Sequence, residues 1–384
     1  MARYWVGGTA NWDGTAGTKW ALTSGGAGGQ AVPGSSDDVL LDANSGSVTI
    51  TITATANCAN LTCTGFTGTL TGSSAINIYG SMLLVTTMTW SISGLTTMKS
   101  TSTGKTMNSA GFNMTGSVTF DGVGGGWSVT NDVANDFRAT TFTLTNGSFD
   151  CSAFLISGGD VRCTTFDISN TNTRTLVIDG IGDLGNSGGR LRCKNWTATT
   201  ITGLTFTSGN SCVTIDAASG TFAGGGLTYK DMLLFGNVFP AVTIVGNNTF
   251  RTIAIQDGAA MKFTAGSNNT ITGDFILINP SIASGFDLTS SSPGNTYTLT
   301  KTLGFVLVRY SRIRDCIATG GATWQASDSI DQGNNTGWIF LNISQGGLRA
   351  KRATGGFLTS SQDPTKLRAK RATGGFLKGS AKKL

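Results

Sequence analysis

Two short stretches, whose asparagine pairs are 21 positions apart, decide the predicted fold: Gly246-Asn247-Asn248-Thr249-Phe250 and Gly266-Ser267-Asn268-Asn269-Thr270-Ile271. Between them lies a short alternating run, Met261-Lys262-Phe263, where the next turn of a coil would place a strand. A repeat of roughly 20–50 residues is typical of stacked units. Asparagine side chains stacked in register can also hydrogen-bond along a ladder. The repeated stretch therefore predicts a solenoid in which each turn of the chain adds one layer.

The long middle of the chain, residues 46–342, has the same texture throughout. Short runs alternate threonine with apolar residues, as in Val48-Thr49-Ile50-Thr51-Ile52, and are bounded by Gly, Asn, Asp or Ser. Such runs are typical of strands separated by turns. They predict an all-β fold, and we interpret it as a right-handed parallel β-helix of about a dozen rungs, about 60–70 Å long. A multi-sheet β-sandwich or barrel array is the alternative.

The composition points the same way. All 21 acidic residues are Asp, and the 384-residue chain contains 55 Gly but neither Glu nor His. Because Asp, Asn, Ser, Thr and Gly are poorer helix formers than Glu, this usage favours strands and turns. With 39% hydrophobic residues the chain lacks the signature of disorder. We expect no membrane span, since no apolar run approaches ~18 residues, and no secretory signal, since the first residues lack an apolar core segment.

Seven scattered cysteines offer no C-x-x-C pair. With no histidine in the chain, a zinc site would have to use sulfur and Asp alone. We therefore expect reduced and mostly buried cysteines, no metal site and no cofactor.

Tryptophans mark both ends of the repetitive region. Residues 1–45 contain Trp5, Trp12 and Trp20 at close intervals, and the stretch 324–340 begins near Trp324 and includes Trp338. A solenoid has two exposed ends that need covering. We expect residues 1–45 to form an N-terminal cap and the stretch 324–340 to close the far end, while a sugar-stacking platform is the functional alternative.

The tail, residues 343–384, differs in character from the rest of the chain. Leu348–Leu358, with the sequence LRAKRATGGFL, recurs letter for letter at 367–377, and residues 344–384 hold ten Lys and Arg against one Asp, a net charge of +9. A charged segment followed by Gly-Gly and a Phe-Leu pair suits a peptide that docks into a pocket on an acidic protein surface. Two copies allow bivalent attachment. The predicted partner-binding residues are Arg349, Lys351, Arg352, Phe357, Leu358, Arg368, Lys370, Arg371, Phe376 and Leu377. The alternatives are a disordered basic tail and nucleic-acid binding, which the absence of Tyr and Trp from the repeat disfavours.

Glycoside hydrolysis needs two carboxylates that face each other across the substrate, so pairs of Asp are the candidate catalytic residues. Asp179 with Asp183 is the best candidate pair, and Asp160 with Asp167 is the weaker one. Asp in a glycine-rich loop is more often a turn residue, and the chain offers no histidine base. The dinucleotide-like pattern of residues 180–185 runs into Asn186-Ser187-Gly188-Gly189, which will not begin the helix that such a motif requires. We expect a non-enzymatic protein with no catalytic residues.

Several motifs resemble those of β-helical surface and phage virion proteins. They are Tyr4-Trp5-Val6-Gly7-Gly8, Asn11-Trp12-Asp13, Asp37-Asp38-Val39, the run 222–229, and Gly333-Asn334-Asn335-Thr336-Gly337-Trp338. The resemblance covers roughly residues 3–341 and implies a virion structural protein of the decoration, head-fibre or tail-fibre type, often a homo-oligomer with trimers favoured. It implies location in the virion after assembly in the host cytoplasm, and the tail is expected to bind other capsid or tail proteins. A receptor- or glycan-binding tailspike with weak glycan hydrolysis, or a bacterial surface adhesin, is the alternative.

Overall fold

The computed structural model describes residues 1–13, 18–131, 134–180, 189–235, 241–281 and 285–342, with the backbone of 349–352 and 356–358. The chain is nearly all-β, with 52% strand and 3% helix, and it forms a β-solenoid of about 12 turns. At ~4.8 Å per turn the rod is about 60 Å long. The short helices are a 3-10 turn at Ala43–Ser45 and an α-helix at Ser152–Ile156.

Each turn contributes strands to three faces, visited in the order 1, 2, 3. Face 1 contains Ala2–Trp5, Asp38–Asp42, Leu61–Thr64, Met82–Leu83, Lys105–Asn108, 126–129, 147–150, Arg174–Val177, Leu204–Thr207, 228–229, 249–250, Asn268–Ile271, Tyr297–Thr300 and Cys316–Thr319. Face 2 contains Ala10–Asn11, Thr49–Ile52, Thr69–Gly72, Thr89–Ile92, Asn113–Met114, 137–139, 161–163, 191–193, Cys212–Ile215, 231–234, 252–256, Phe275–Ile278, Phe305–Arg309, Thr323–Ser327 and Trp338–Asn342. Face 3 contains Ala56–Cys58, Ile76–Ile78, Thr96–Met98, 118–120, 142–144, 165–167, 195–197, Thr221–Ala223, Val242–Val245, Ala260–Phe263, Phe286–Ser290, Ser311–Ile313 and Ile330–Asp331.

Long strands bend around corners and serve two faces, or three in the case of Phe137–Asp150. Val118–Val129, Phe137–Asp150, Val161–Asp167, Leu191–Thr197, Thr228–Leu234 and Thr249–Gln256 do so. The stacked strands within each face pair in parallel, and the described residues form three sheets of 29, 4 and 5 strands, the last of which includes the two strands of the tail. Trp20–Ala21 is an exception, because it pairs antiparallel with Ala2–Trp5.

Alternation fixes which side chains enter the rod. On face 2, Ile50 pairs with Leu70 and Leu70 with Trp90, each 20 residues further along the chain, and all three are buried. The threonines beside them point outward, because successive residues of a strand face opposite sides. One continuous hydrophobic core results, extending from Trp5 to Phe340. The solenoid predicted from the alternating runs is confirmed; the sense in which it winds stays a prediction.

Aromatic rings stack inside the middle turns. Phe166 pairs with Trp196, and Trp196 with Phe222, with ring centroids 5.2 and 6.2 Å apart and planes inclined by 12° in both pairs. Such pairs contribute about 0.5–1.5 kcal/mol each beyond the area they bury. The Trp196 indole also donates to the Tyr229 hydroxyl at 2.9 Å, so its polar edge is satisfied within the core.

The asparagine ladder predicted from the repeated stretches is present. The Asn248 amide nitrogen donates to the Asn269 Oδ1 at 3.0 Å, and the backbone N–H of Asn268 donates to the Asn247 Oδ1 at 2.7 Å. Gly246 and Gly266 precede the two pairs with φ of 75° and 77°, a left-handed conformation that glycine adopts without a steric cost. Both stretches therefore begin with the same turn, and hydrogen bonds of their asparagine side chains join the two layers.

A buried arginine holds two successive turns together. Arg174 is 1% exposed, and its guanidinium donates to the carbonyl oxygens of Ile168, Asn172, Thr200 and Thr202 at 2.5 to 2.9 Å. These carbonyls belong to the loops before strands Arg174–Val177 and Leu204–Thr207. The side chain thus acts as a clamp between one layer and the next.

The two ends differ. Trp20 packs edge-on against Trp5 and Trp12, with centroids 5.0 and 4.9 Å away, an arrangement compatible with an N-terminal cap. At the other end, Trp324 and Trp338 pack against each other at 5.2 Å, but they lie in strands that stack in parallel on Phe305–Arg309. The stretch expected to close the far end therefore supplies the last turns of face 2.

Candidate functional site

The tail leaves the rod at its C-terminal end. Arg349–Arg352 pairs antiparallel with the last strand of face 2, Trp338–Asn342, and Gly356–Leu358 pairs antiparallel with Arg349–Arg352. The first copy of the repeat thus continues the sheet of the solenoid. For the predicted binding residues Arg349, Lys351, Arg352, Phe357 and Leu358 only the backbone is described, whereas Arg368, Lys370, Arg371, Phe376 and Leu377 lie outside the described residues.

A ladder of alternating charges crosses the outer side of face 2. Its members, in the order of their contacts, are Arg138, Asp136, Arg162, Asp160, Arg192 and Asp216. The three arginines occupy the same position on successive strands. Distances between the charged atoms run from 2.6 Å, between Arg138 and Asp136, to 3.3 Å, between Arg192 and Asp160. The guanidinium of Arg192 also lies 5.5 Å from the ring centre of Phe235, which is 40% exposed.

The carboxylates considered for catalysis serve as hydrogen-bond acceptors. One oxygen of Asp160 accepts from Arg162 and Arg192, and the other accepts from the backbone N–H of Arg190, so this carboxylate takes part in the structural contacts of the charge ladder. The other member of this candidate pair, Asp167, is the last residue of the strand Val161–Asp167, and Asp160 comes directly before that strand. The Asp167 carboxylate accepts a hydrogen bond from the backbone N–H of Ser169 in the following turn.

The best candidate pair cannot be measured as a pair, since Asp183 lies outside the described residues. Its partner Asp179 accepts the backbone N–H of Asn210 at 2.7 Å. That contact joins two successive layers of the rod, since the two residues are 31 positions apart in the chain.

The cysteines are free thiols, and six of the seven are buried, Cys163 being partly exposed. Burial raises the pKa of Cys212 and of Cys316 to about 12, which disfavours the reactive thiolate. No group of three or more potential ligands in the described ranges is arranged to hold a metal ion. Within the same ranges, no helix is long and apolar enough to cross a membrane.

The tryptophans at the ends offer no platform for sugars. Trp5, Trp20, Trp324 and Trp338 are at most 1% exposed. A sugar ring stacks on an accessible aromatic face, so these residues contribute to packing at the two ends of the rod.

Two features of face 2 escaped the sequence reasoning. One is the charge ladder, whose signal is the pattern Asp-x-Arg at 136–138 and again at 160–162. The other is the strand Phe305–Arg309, where Phe305 and Leu307 are exposed at outward positions. In the sequence this strand is recognisable because residues 305–308, directly before Arg309, are all apolar.

Comparisons with protein-family models, with curated proteins and with solved structures find no match to this chain. The fold and the geometry of its surface are therefore the basis for a functional proposal.

Proposed function

We propose that the chain is a non-enzymatic structural component of a bacteriophage particle, of the capsid-decoration, head-fibre or tail-fibre type. Its β-solenoid body projects from the particle, and its C-terminal repeats hold it there. The rod winds in a right-handed sense, as crossovers between parallel strands almost always do. Its place is the virion, after assembly in the host cytoplasm.

One observation carries this proposal: the basic repeat begins directly at the end of the rod. The last strand of face 2 ends at Asn342, and the first copy, 348–358, supplies the two antiparallel strands that continue the same sheet. A tether that starts at one end of a rigid body holds that body end-on. The second copy follows at 367–377, and the linker of eight residues between the copies spans at most ~28 Å.

Charge separation supports the same arrangement. The whole chain has a net charge of +6. Residues 344–384 carry +9, so the rest of the chain carries −3. A basic tail on a slightly acidic body is steered toward an acidic partner surface, while the body is not. The Phe-Leu pairs at 357–358 and 376–377 are the expected anchors in pockets of the partner protein.

The test is incorporation into particles assembled in the producing host. Deleting 344–384 should leave a folded β-rich body that is absent from purified particles, and deleting 359–384 should leave one copy and weakened attachment. Phe357→Ala with Phe376→Ala should lower occupancy at least tenfold, because anchor truncations typically cost more than ~2 kcal/mol each. The matched control shuffles the linker 359–366 at constant length and should incorporate normally. Normal incorporation of the 344–384 deletion would refute the proposal.

The tailspike alternative makes a different prediction. Purified protein incubated with host surface polysaccharide would shorten the chains, and Asp179→Asn would abolish the effect. Because Asp179 accepts the N–H of Asn210, Asp179→Asn is paired with a control for folding, circular dichroism of the variant. Shortening that disappears in a folded variant would replace the structural proposal by an enzymatic one.

A further inference from the structure

The outward positions of face 2 change from polar to apolar along the rod, and the apolar Leu233 and Ala254 at these positions are buried. In its early turns these positions hold polar residues, such as Thr49, Thr51, Thr69 and Thr71. On Phe305–Arg309 they hold Phe305, Leu307 and Arg309, all exposed, while Val306 and Val308 fill the core. A strand that is apolar on both sides and solvent-exposed on one is unusual for a sheet that faces water.

These residues form an apolar patch, defined as Ile276, Leu303, Phe305 and Leu307. Their exposed fractions are 37%, 79%, 52% and 37%. Ile276 lies on Phe275–Ile278, the strand beside Phe305–Arg309. At ~150–250 Å² for a large apolar side chain the patch exposes about 400 Å². The next turn of the rod places the polar residues Thr323 and Gln325 at outward positions beside the patch.

Patches of this size on a soluble protein commonly mark interaction sites. A standard interface buries about 800 Å² on each partner, and about 65% of a homodimer interface is apolar. The apolar patch alone thus supplies most of the apolar area that one half of a homodimer interface requires.

We propose that the apolar patch is a self-association surface, on which a second copy of this chain packs side by side with its rod in parallel. The two-fold axis runs close to the direction of the rods, crosses the strands at the patch and passes beside Leu307, so the two rods can be inclined to each other. This operation places Leu307 opposite Leu307 of the second copy. It also places Phe305 opposite Arg309 of the second copy, and Arg309 opposite Phe305 of the second copy. The reason is that Phe305 and Arg309 lie two positions before and two positions after Leu307. Each pairing sets a guanidinium against an aromatic ring, a favourable contact.

Charge decides between parallel and antiparallel packing. With the rods antiparallel, the two-fold axis would run along the strands and bring Arg309 against Arg309 of the second copy. Like charges directly opposed in an interface are unfavourable. The order Phe-x-Leu-x-Arg on the exposed strand is therefore self-complementary only for parallel rods.

The contact is confined to the C-terminal turns. Arg192 lies four turns, or about 20 Å, from Ile276 toward the N-terminal end of the rod. The same operation would bring Arg192 toward Arg192 of the second copy, and this contact between like charges is unfavourable. The rods consequently diverge toward their N-terminal ends. The inference does not depend on the proposed function, but parallel rods bring two tails, and so four repeats, to the same end, where their avidity combines.

Sedimentation velocity of the full chain over a range of concentrations tests the surface. The wild type should form dimers, and Phe305→Thr with Leu307→Thr should raise the dissociation constant at least tenfold. Threonine is the residue that the early turns of face 2 carry at outward positions, so the variant should keep the wild-type circular dichroism and melting temperature. The matched control is Leu83→Thr, a residue 38% exposed on face 1, which should leave dimerisation unchanged. A wild type that stays monomeric, or a double variant that still dimerises fully, overturns the proposal.

Cysteine cross-linking tests the orientation. In parallel rods Phe305 lies opposite Arg309 of the second copy, so a mixture of the Phe305→Cys and Arg309→Cys proteins should form disulfide-linked dimers under mild oxidation, while neither protein alone should do so. In antiparallel rods each of these residues would meet its own copy, so each protein alone would cross-link. Arg309→Leu adds a second readout, since it should weaken parallel dimers by removing the contact between Arg309 and Phe305, but strengthen antiparallel ones by removing the two opposed positive charges. Trimers without either cross-link would contradict the two-fold contact.

Discussion

Replacing Arg174 by methionine is the sharpest test of how the turns are held together. The side chain is 1% exposed and makes five hydrogen bonds to four backbone carbonyls. Methionine fills a similar volume but donates none of them. The loops before two successive face 1 strands would lose a shared donor, and their carbonyls would remain buried.

The magnitude follows from these contacts. A hydrogen bond to a charged group contributes about 1.5–3 kcal/mol, and breaking a buried charged network costs about 3–5 kcal/mol because the contributions are not additive. We expect Arg174→Met to lower the free energy of unfolding by about 3–5 kcal/mol. Arg174→Lys should recover part of the loss, since an ammonium has three donors but cannot reach four carbonyls from one position.

The matched control is Arg138→Met, because Arg138 is a ladder arginine whose side chain is 46% exposed and paired with Asp136. A surface ion pair contributes at most about 1 kcal/mol. Urea denaturation followed by circular dichroism measures both variants, and amide hydrogen exchange in loops 168–173 and 199–203 locates the effect, which is necessary because solenoid turns can open separately. The clamp interpretation fails if Arg174→Met costs no more than Arg138→Met, or if exchange in these loops is unchanged.

Three further predictions concern single side chains. At pH 8 a maleimide should label Cys163 in the folded protein but not Cys212, whose burial raises the pKa of its thiol to about 12, and peptide mass spectrometry measures the difference. Asn269→Leu should cost about 1–3 kcal/mol in a urea titration, because its ladder neighbour loses a buried acceptor. The backbone N–H of Gly34 holds the pKa of Asp37 below its ordinary value, so this carboxylate stabilises the fold above about pH 4 and the contribution is lost as pH falls through the lowered value. Asp37→Asn should make acid denaturation less steep, and an unchanged acid transition would contradict this assignment.

The fold was predictable because its signals are local. Alternation of threonine with apolar residues is visible within five residues, as in Val48–Ile52, and turn residues bound each run. The ladder of Asn248 and Asn269 was also predictable, since the two turns that carry it have nearly the same sequence. Arg174 could not be identified as a clamp, because its carbonyl partners are backbone atoms that 26 and 28 residues of chain bring back to it.

The surface was less predictable because register depends on the length of each turn. Arg138 pairs with Arg162 after 24 residues, but Arg162 pairs with Arg192 only after 30, so no fixed period reveals the column. The exposed strand was hidden for another reason. The run of apolar residues at 305–308 is typical of a strand that is buried on both sides, but the fold buries only one side of this strand. Leu233 and Ala254, at outward positions of earlier turns, are covered, and the pattern of a doubly buried strand is satisfied when a second surface covers Phe305 and Leu307 in the same way. The mismatch between the pattern of this strand and its exposure in a single copy is therefore itself an argument for an interface there.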